Sequence, residues 1–158
     1  MSHRCWLVKS EPETFSIDDL AASPRRMTSW DGVRNYQARN FMRAMAVGDR
    51  VFFYHSNADP PAVVGIAEVS RTAYPDDTQF DKSGDHYDPD SLPDAPRWDM
   101  VDIRFLEKFD QAVSLDRLRK EPRLKGMTLL KKGSRLSVQP VTPSEWDIIV
   151  KLGKAHKR

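Results

Sequence analysis

The chain has 158 residues, 39% of them hydrophobic and 30% charged, which suits one domain with one core, residues 1–158, and leaves no run near the roughly 20 apolar residues of a bilayer span. Cys5 is the single cysteine, so an intrachain disulfide is excluded and a reducing compartment is expected. The formal charge of +2 hides an asymmetry: residues 1–56 hold 8 basic and 6 acidic side chains, 57–110 hold 5 and 13, and 111–158 hold 12 and 4, or +2, −8 and +8. That distribution offers a polyanion a basic surface opposite an acidic one that turns it away.

In chain order, Cys5 to Lys9 reads as a strand, with Cys5 a small buried hydrophobe. The apolar segment of a signal peptide is missing before it, so a cytoplasmic chain is expected. Ser16 followed by Asp19 is a capping box flanked by Phe15 and Leu20 as a hydrophobic staple, and it starts a helix. A second helix runs from about Tyr36, where Ala38, Phe41, Met42 and Met45 fall at helical spacing and leave Gln37, Arg39, Asn40 and Arg43 on the polar face. Val51 to Ser56 and Ala62 to Thr72 follow as strands. Residues 74–96 carry aspartates at 76, 77, 81, 85, 88, 90 and 94 among prolines and read as an acidic surface loop. It lacks the spacing of a calcium-binding EF-hand. Val101 to Phe109 is the cleanest alternating strand, and Ser114 caps a short helix ended by Pro122. Lys131 to Arg135 is a basic turn, Leu136 to Val141 a last strand, and Thr142-Pro143-Ser144-Glu145 a capping box with first-turn proline that opens a final helix. Residues 153–158 are expected to form a flexible tail. Short strands and helices without regular βαβ alternation indicate an α+β domain around a curled sheet or small barrel.

Catalytic motifs are scarce. His3, His55, His86 and His156 do not stand at metal-ligand spacing with one another or with Cys5. Neither a nucleophile elbow nor a phosphate-binding glycine loop is present. His55, at the end of a strand, is the one candidate base, though a strand-end histidine satisfied by hydrogen bonds is the commoner case, and Glu11 with Asp31 is a carboxylate pair of a kind that almost any domain of this length offers. Neither metal nor cofactor is therefore expected, and the chain is read as a non-enzyme. Trp6 and Trp146 are expected in the core, whereas Trp30 and Trp98 stand among polar residues at element boundaries.

The densest segment is Trp30-Asp31-Gly32-Val33-Arg34-Asn35-Tyr36-Gln37-Ala38-Arg39-Asn40-Phe41. Indole and phenol rings stack on planar ligands, carboxamides match base edges and guanidinium forks match phosphate. A nucleobase in a polynucleotide is the ligand class that uses all three.

This segment, together with Trp6-Leu7-Val8-Lys9-Ser10-Glu11-Pro12, Gly48-Asp49, Phe53-Tyr54-His55-Ser56-Asn57 and Arg135-Leu136-Ser137-Val138-Gln139-Pro140-Val141, resembles the EVE domain from about residue 5 to 152. The resemblance implies a PUA-like curled mixed β-barrel with flanking short helices. It also implies kinship with YTH domains, which hold a methylated adenine in an aromatic cage, and hence a pocket for a modified base. By that likeness Lys9, Ser10, Glu11, Trp30, Asp31 and Trp98 surround the pocket. Arg34, Asn35, Tyr36, His55, Ser56 and Ser137 complete the expected set from the matching segments.

The expectation is thus a monomeric, non-membrane module that reads a modified base in DNA or RNA between Trp30 and either Trp98 or Tyr36. Arg39, Arg43, Lys132 and Arg135 are assigned to phosphate. The alternatives are a metal-free enzyme acting on a nucleobase or nucleotide, with Glu11, Asp31 or His55 as acid or base, and a protein-interaction module with the aromatics in its core.

Overall fold

The computed structural model describes residues 3–133 and 135–154. Among them are six strands: β1 (Cys5–Ser10), β2 (Met27–Trp30), β3 (Arg50–His55), β4 (Ala62–Pro75), β5 (Asp99–Ser114) and β6 (Val138–Val141). They form one mixed sheet in the order β2-β5-β4-β3-β1-β6. β1 and β3 run parallel, and the other neighbours are antiparallel. The helices are α1 (Ile17–Ala22), α2 (Tyr36–Ala44), α3 (Leu115–Arg119) and α4 (Pro143–Gly153). None of the described helices is long and apolar enough to cross a membrane.

Both faces of the sheet are covered, which is why β1 and β3 read as continuous apolar runs. Trp6, Val8, Val51 and Phe53 point to one face and pack with Ile17, Leu20, Ala38, Met42 and Met45 of α1 and α2 or its exit. Leu7, Phe52 and Tyr54 point to the other, under Leu118 of α3, Leu124, Leu129 and Ile149 of α4. There Trp146 stacks on Phe52 with ring centroids 3.8 Å apart. Cys5 is half-buried, and desolvation, followed by Asp49, raises its thiol pKa.

The capping boxes at Ser16 and Thr142 and the caps at Asn35 and Ser114 all form, so the helix starts read from the sequence stand where expected. Other elements differ. The sheet ends at β2 and β6, and among the described residues nothing pairs these edges, so it is an open curled sheet rather than a closed barrel. Its curl comes with register shifts between β4 and β5, where one strand carries extra residues. β2 escapes sequence reading because Met27-Thr28-Ser29-Trp30 is too short to show alternation. β5 continues past Phe109 to Ser114, and β6 starts two residues after Leu136, at Val138.

The acidic segment is not wholly a surface loop. Asp76 and Gln79 are fully buried. Gln79 Nε2 donates to the carbonyls of Asp76 (2.7 Å) and Trp98 (2.9 Å), while its Oε1 accepts the Trp98 N–H at 3.1 Å and the Ser91 hydroxyl. A buried amide with its partners satisfied holds the segment in place of an apolar plug. The expected tail is likewise partly structured, since Gly153 is buried and Lys154 pairs with Glu107 at 3.1 Å. Residues 155–158 of that tail lie outside the described residues, as does Ser134 of the basic turn.

Candidate nucleic-acid interface

β1 leaves its ladder with β6 at Val8, after which only Lys9 N–H reaches the Ser137 carbonyl, at 2.9 Å. Beside this opening lies a cavity of about 470 Å³. β1 and the turn after it contribute Lys9, Ser10, Thr14 and Phe15, and β2 with its exit contributes Thr28, Ser29, Trp30, Asp31, Gly32 and Val33. Ser137 comes from the approach to β6, and His86 from the acidic segment.

One buried carboxylate brings His86 there. Asp76 accepts from the Gly32 N–H (2.8 Å), Arg34 Nη1 (3.1 Å), the Thr78 N–H (2.8 Å) and the Thr78 hydroxyl. Desolvation alone raises such a carboxyl, but the bonds from Thr78, Gly32 and Arg34 outweigh it and hold Asp76 below the ordinary range. Arg34 then turns its Nε and Nη2 to the His86 carbonyl at 3.0 and 2.9 Å. The His86 ring lies against Gly32, where φ is +78° and an added Cβ would stand 2.7 Å from Nε2. Only glycine meets both conditions.

The cavity is polar on its rim and aromatic within. Trp30, 9% exposed, meets Phe15 at 6.4 Å and 73° and Phe53 at 5.5 Å and 82°, so its neighbours hold it edge to face. Asp31 keeps access to solvent, yet desolvation and the charge of Asp76 raise its pKa against the pull of His86 and Arg34. Lys9 is half-buried, and desolvation lowers its pKa.

Of the residues expected to form a pocket, the structure brings together Lys9, Ser10, Trp30, Asp31 and Ser137. The rest do not line the cavity. Trp98 is buried and stacked on Tyr36 at 4.8 Å and 26°, with its indole N–H donated to Asp88, so neither ring faces Trp30 across a cage. Arg34 is consumed by the clamp just described. Asn35 Oδ1 caps α2 by accepting the Ala38 N–H at 2.9 Å. Glu11 is exposed and uses its carbonyl to close the turn to Phe15. Ser56 N–H donates to the Ser10 carbonyl.

Thr14, Phe15, Thr28, Ser29 and His86 line the cavity although the sequence does not mark them for it. A polar β2 and a histidine inside an acidic run carry no pattern that points to a site. Phe15 shows in the sequence only its role beside the α1 cap.

The cations assigned to phosphate are dispersed. Arg43 pairs with Asp99, and Arg39 lies over Tyr36 at 4.7 Å while donating to the Arg97 carbonyl. Arg135 is exposed near Ser137 in the chain, and Lys132 lines a second cavity. The described residues hold no cluster of three or more His, Cys, Asp or Glu side chains placed for a metal.

His55 Nε2 accepts the Ile17 N–H at 3.1 Å, fixing the start of α1, a bond that needs the neutral ring. Desolvation lowers its pKa, with Asp18 opposing and Lys108 reinforcing. A folded pKa below the unfolded value of about 6.5 means that this stabilisation is complete above about pH 6.5 and is lost as pH falls through the folded pKa. Urea melts should therefore show wild-type stability falling between pH 7.5 and 5.5, and His55→Gln should be less stable at pH 7.5 but flatter across that range. Equal slopes for the two proteins would refute the assignment.

An open α+β sheet with a polar and aromatic cavity beside its parallel strand pair defines a class of small mixed-sheet domains, and the comparisons specify which. The EVE domain model matches residues 4–152, and the chain belongs to the EVE domain family. Its fold is PUA-like. Thymocyte nuclear protein 1 of Rattus norvegicus is 48% identical over 96% of this chain and 74% of its own length. The crystal structure of human THYN1 protein in complex with 5-methylcytosine-containing DNA superposes with a TM-score of 0.91 at 44% identity, covering 96% of this chain and 98% of that one. A YTH domain of Zygosaccharomyces rouxii MRB1 protein, in complex with N6-methyladenosine RNA, shares the fold at 16% identity and a TM-score of 0.57, over 96% of this chain and 87% of that one.

Proposed function

We propose that the chain binds nucleic acid and admits one modified base, extruded or single-stranded, into the cavity between Lys9, Trp30, Asp31, His86 and Ser137. The observation that carries this reading is the convergence of β1, β2, the β6 approach and the acidic segment on one cavity of about 470 Å³, within the range of small-ligand sites. The similar human structure holds DNA with 5-methylcytosine, which supports the ligand class. Trp30 and Phe15 supply apolar walls for a ring and its added methyl. Asp31 accepts from an exocyclic amino group, and Lys9 with the hydroxyls of Ser29 and Ser137 serves ring and carbonyl acceptors. The Ser10 hydroxyl donates to the Phe15 carbonyl at 2.7 Å, so towards a ligand it only accepts.

The placement of the candidate acids and bases supports a binding role. His55 Nε2 is committed to α1 and Glu11 stands outside the cavity, so of the three groups weighed as acid or base from the sequence only Asp31 lines it. The protein-interaction reading required a buried Trp30 with no concavity beside it, and Trp30 borders the cavity. The relatives are named as nuclear proteins, and a compartment holding nucleic acid is what this role needs.

Asp31→Ala tests the reading without disturbing the core, because the side chain is exposed. Loss of a charged acceptor is worth about 1.5–3 kcal/mol, so affinity for a single-stranded oligonucleotide with one 5-methylcytosine should fall about 10- to 100-fold in fluorescence anisotropy. Wild-type affinity in the variant would remove Asp31, and with it this base placement.

A further inference from the structure

A second cavity, of about 480 Å³, opens on the other face of the sheet, and Lys9 lines both. Lys9 follows Leu7 by two residues and pairs in register with Tyr54, and both of these belong to the opposite cluster from Trp6 and Trp30. Because the β6 ladder ends at Val8, Lys9 has a paired strand only on its β3 side among the described residues.

The second cavity is strongly cationic. Arg119 comes from the end of α3, Lys131 and Lys132 from the basic turn, and Leu129 supplies part of an apolar floor. Among the described residues none of these cations, nor Lys9, has a carboxylate within ion-pair distance. Several cations elsewhere in the fold do have a carboxylate partner: Arg34 with Asp76, Arg43 with Asp99, Arg50 and Arg104 with Glu68, and Lys108 with Asp18. Like charges gathered at a concave site repel one another unless an anion joins them. The half-burial of Lys9, which desolvation already penalises, adds to that demand.

We propose that this second cavity seats a backbone phosphate of the strand whose modified base occupies the first, with Lys9 as the wall common to the two. The assignment rests on the base-reading function above. It identifies the ligand as a base with its phosphate attached, since a cationic cavity adjoining a planar-ligand cavity through one lysine matches a charged group linked closely to a ring. Arg119 supplies the fork that grips phosphate oxygens, and the lysines supply point charges.

The test uses Arg119→Ala/Lys131→Ala, both exposed positions, with the full chain and a single-stranded oligonucleotide carrying one 5-methylcytosine. Wild type should show a plot of log affinity against log salt steeper than the variant's by about 0.7 for each phosphate that the variant leaves unneutralised. At low salt the variant should bind at least tenfold more weakly, with its ratio of modified to unmodified affinity unchanged. Neutral methylphosphonate linkages beside the modified base should weaken wild type and leave the variant unaffected. Identical salt slopes with base preference intact would overturn the phosphate seat and spare the base reading. A slope lost in the variant, with no base preference in wild type, would support the seat and overturn the base reading. Inorganic phosphate shifting the Lys9 and Tyr54 NMR signals, with methylphosphonates without effect, would assign the cavity to a free anion and overturn the strand phosphate.

Discussion

Asp76→Ala should cost about 3–5 kcal/mol of stability, the range for removing one partner of a buried ion pair. The carboxylate is fully buried and serves Gly32, Arg34 and Thr78 together, so its loss leaves a guanidinium and two backbone N–H groups without their acceptor. Asp76→Asn keeps one acceptor oxygen and should lose less. Because the folded pKa lies below that of an unfolded aspartate, about 3.9, the contribution is complete above about pH 4 and disappears as pH falls through the folded value. Urea melts at pH 7 and pH 3 check this: the difference between wild type and Asp76→Asn should be large at pH 7 and shrink at pH 3. The clamp also places His86, so Asp76→Asn, where it remains folded, should bind the modified oligonucleotide at least tenfold more weakly. Wild-type stability and binding in both variants would refute the clamp.

Trp30 offers the second large effect and a harder reading, because one side chain serves both core and cavity. Trp30→Ala should destabilise by about 3–5 kcal/mol through the void left against Phe15 and Phe53. It should also remove base stacking worth about 1–3 kcal/mol. Trp30→Phe separates the two, since a phenyl ring fills most of the void but offers a base less face. The expected result is a stability loss well below that of Trp30→Ala, with affinity for the 5-methylcytosine oligonucleotide reduced severalfold or more. Undiminished binding by Trp30→Phe at every salt concentration would exclude Trp30 as a stacking wall.

The sequence made the skeleton legible where a local rule applied. Ser16, Ser114 and Thr142 announce their helices because capping chemistry is contained within four residues. The strands covered on both faces announce themselves through Val51-Phe52-Phe53-Tyr54 and its kin. Of the site, Lys9, Ser10, Trp30, Asp31 and Ser137 were visible through family likeness and through the mixture of chemistries around Trp30. Trp98 and Tyr36 were not separable from pocket aromatics, because an exposed ring and a stacked one carry the same letter. Arg34 and Asn35 had the composition of ligand-binding groups, yet a buried carboxylate 42 residues away claims the first and the helix end claims the second. His86 was hidden for the converse reason: its position depends on Asp76 and Arg34 across the fold, and long-range polar bonds leave no periodicity to read.

The edge-to-face setting of Trp30 against Phe15 and Phe53 has one more consequence. An indole already locked by the core gives up no rotamer freedom when a ring is laid on it, so this wall is preorganised and indifferent to which base arrives. Choice among ligands then falls to the short rim side chains, Ser29, Asp31, His86 and Ser137, which can be exchanged without disturbing the core. A fold built this way keeps its receptacle constant while its selectivity drifts.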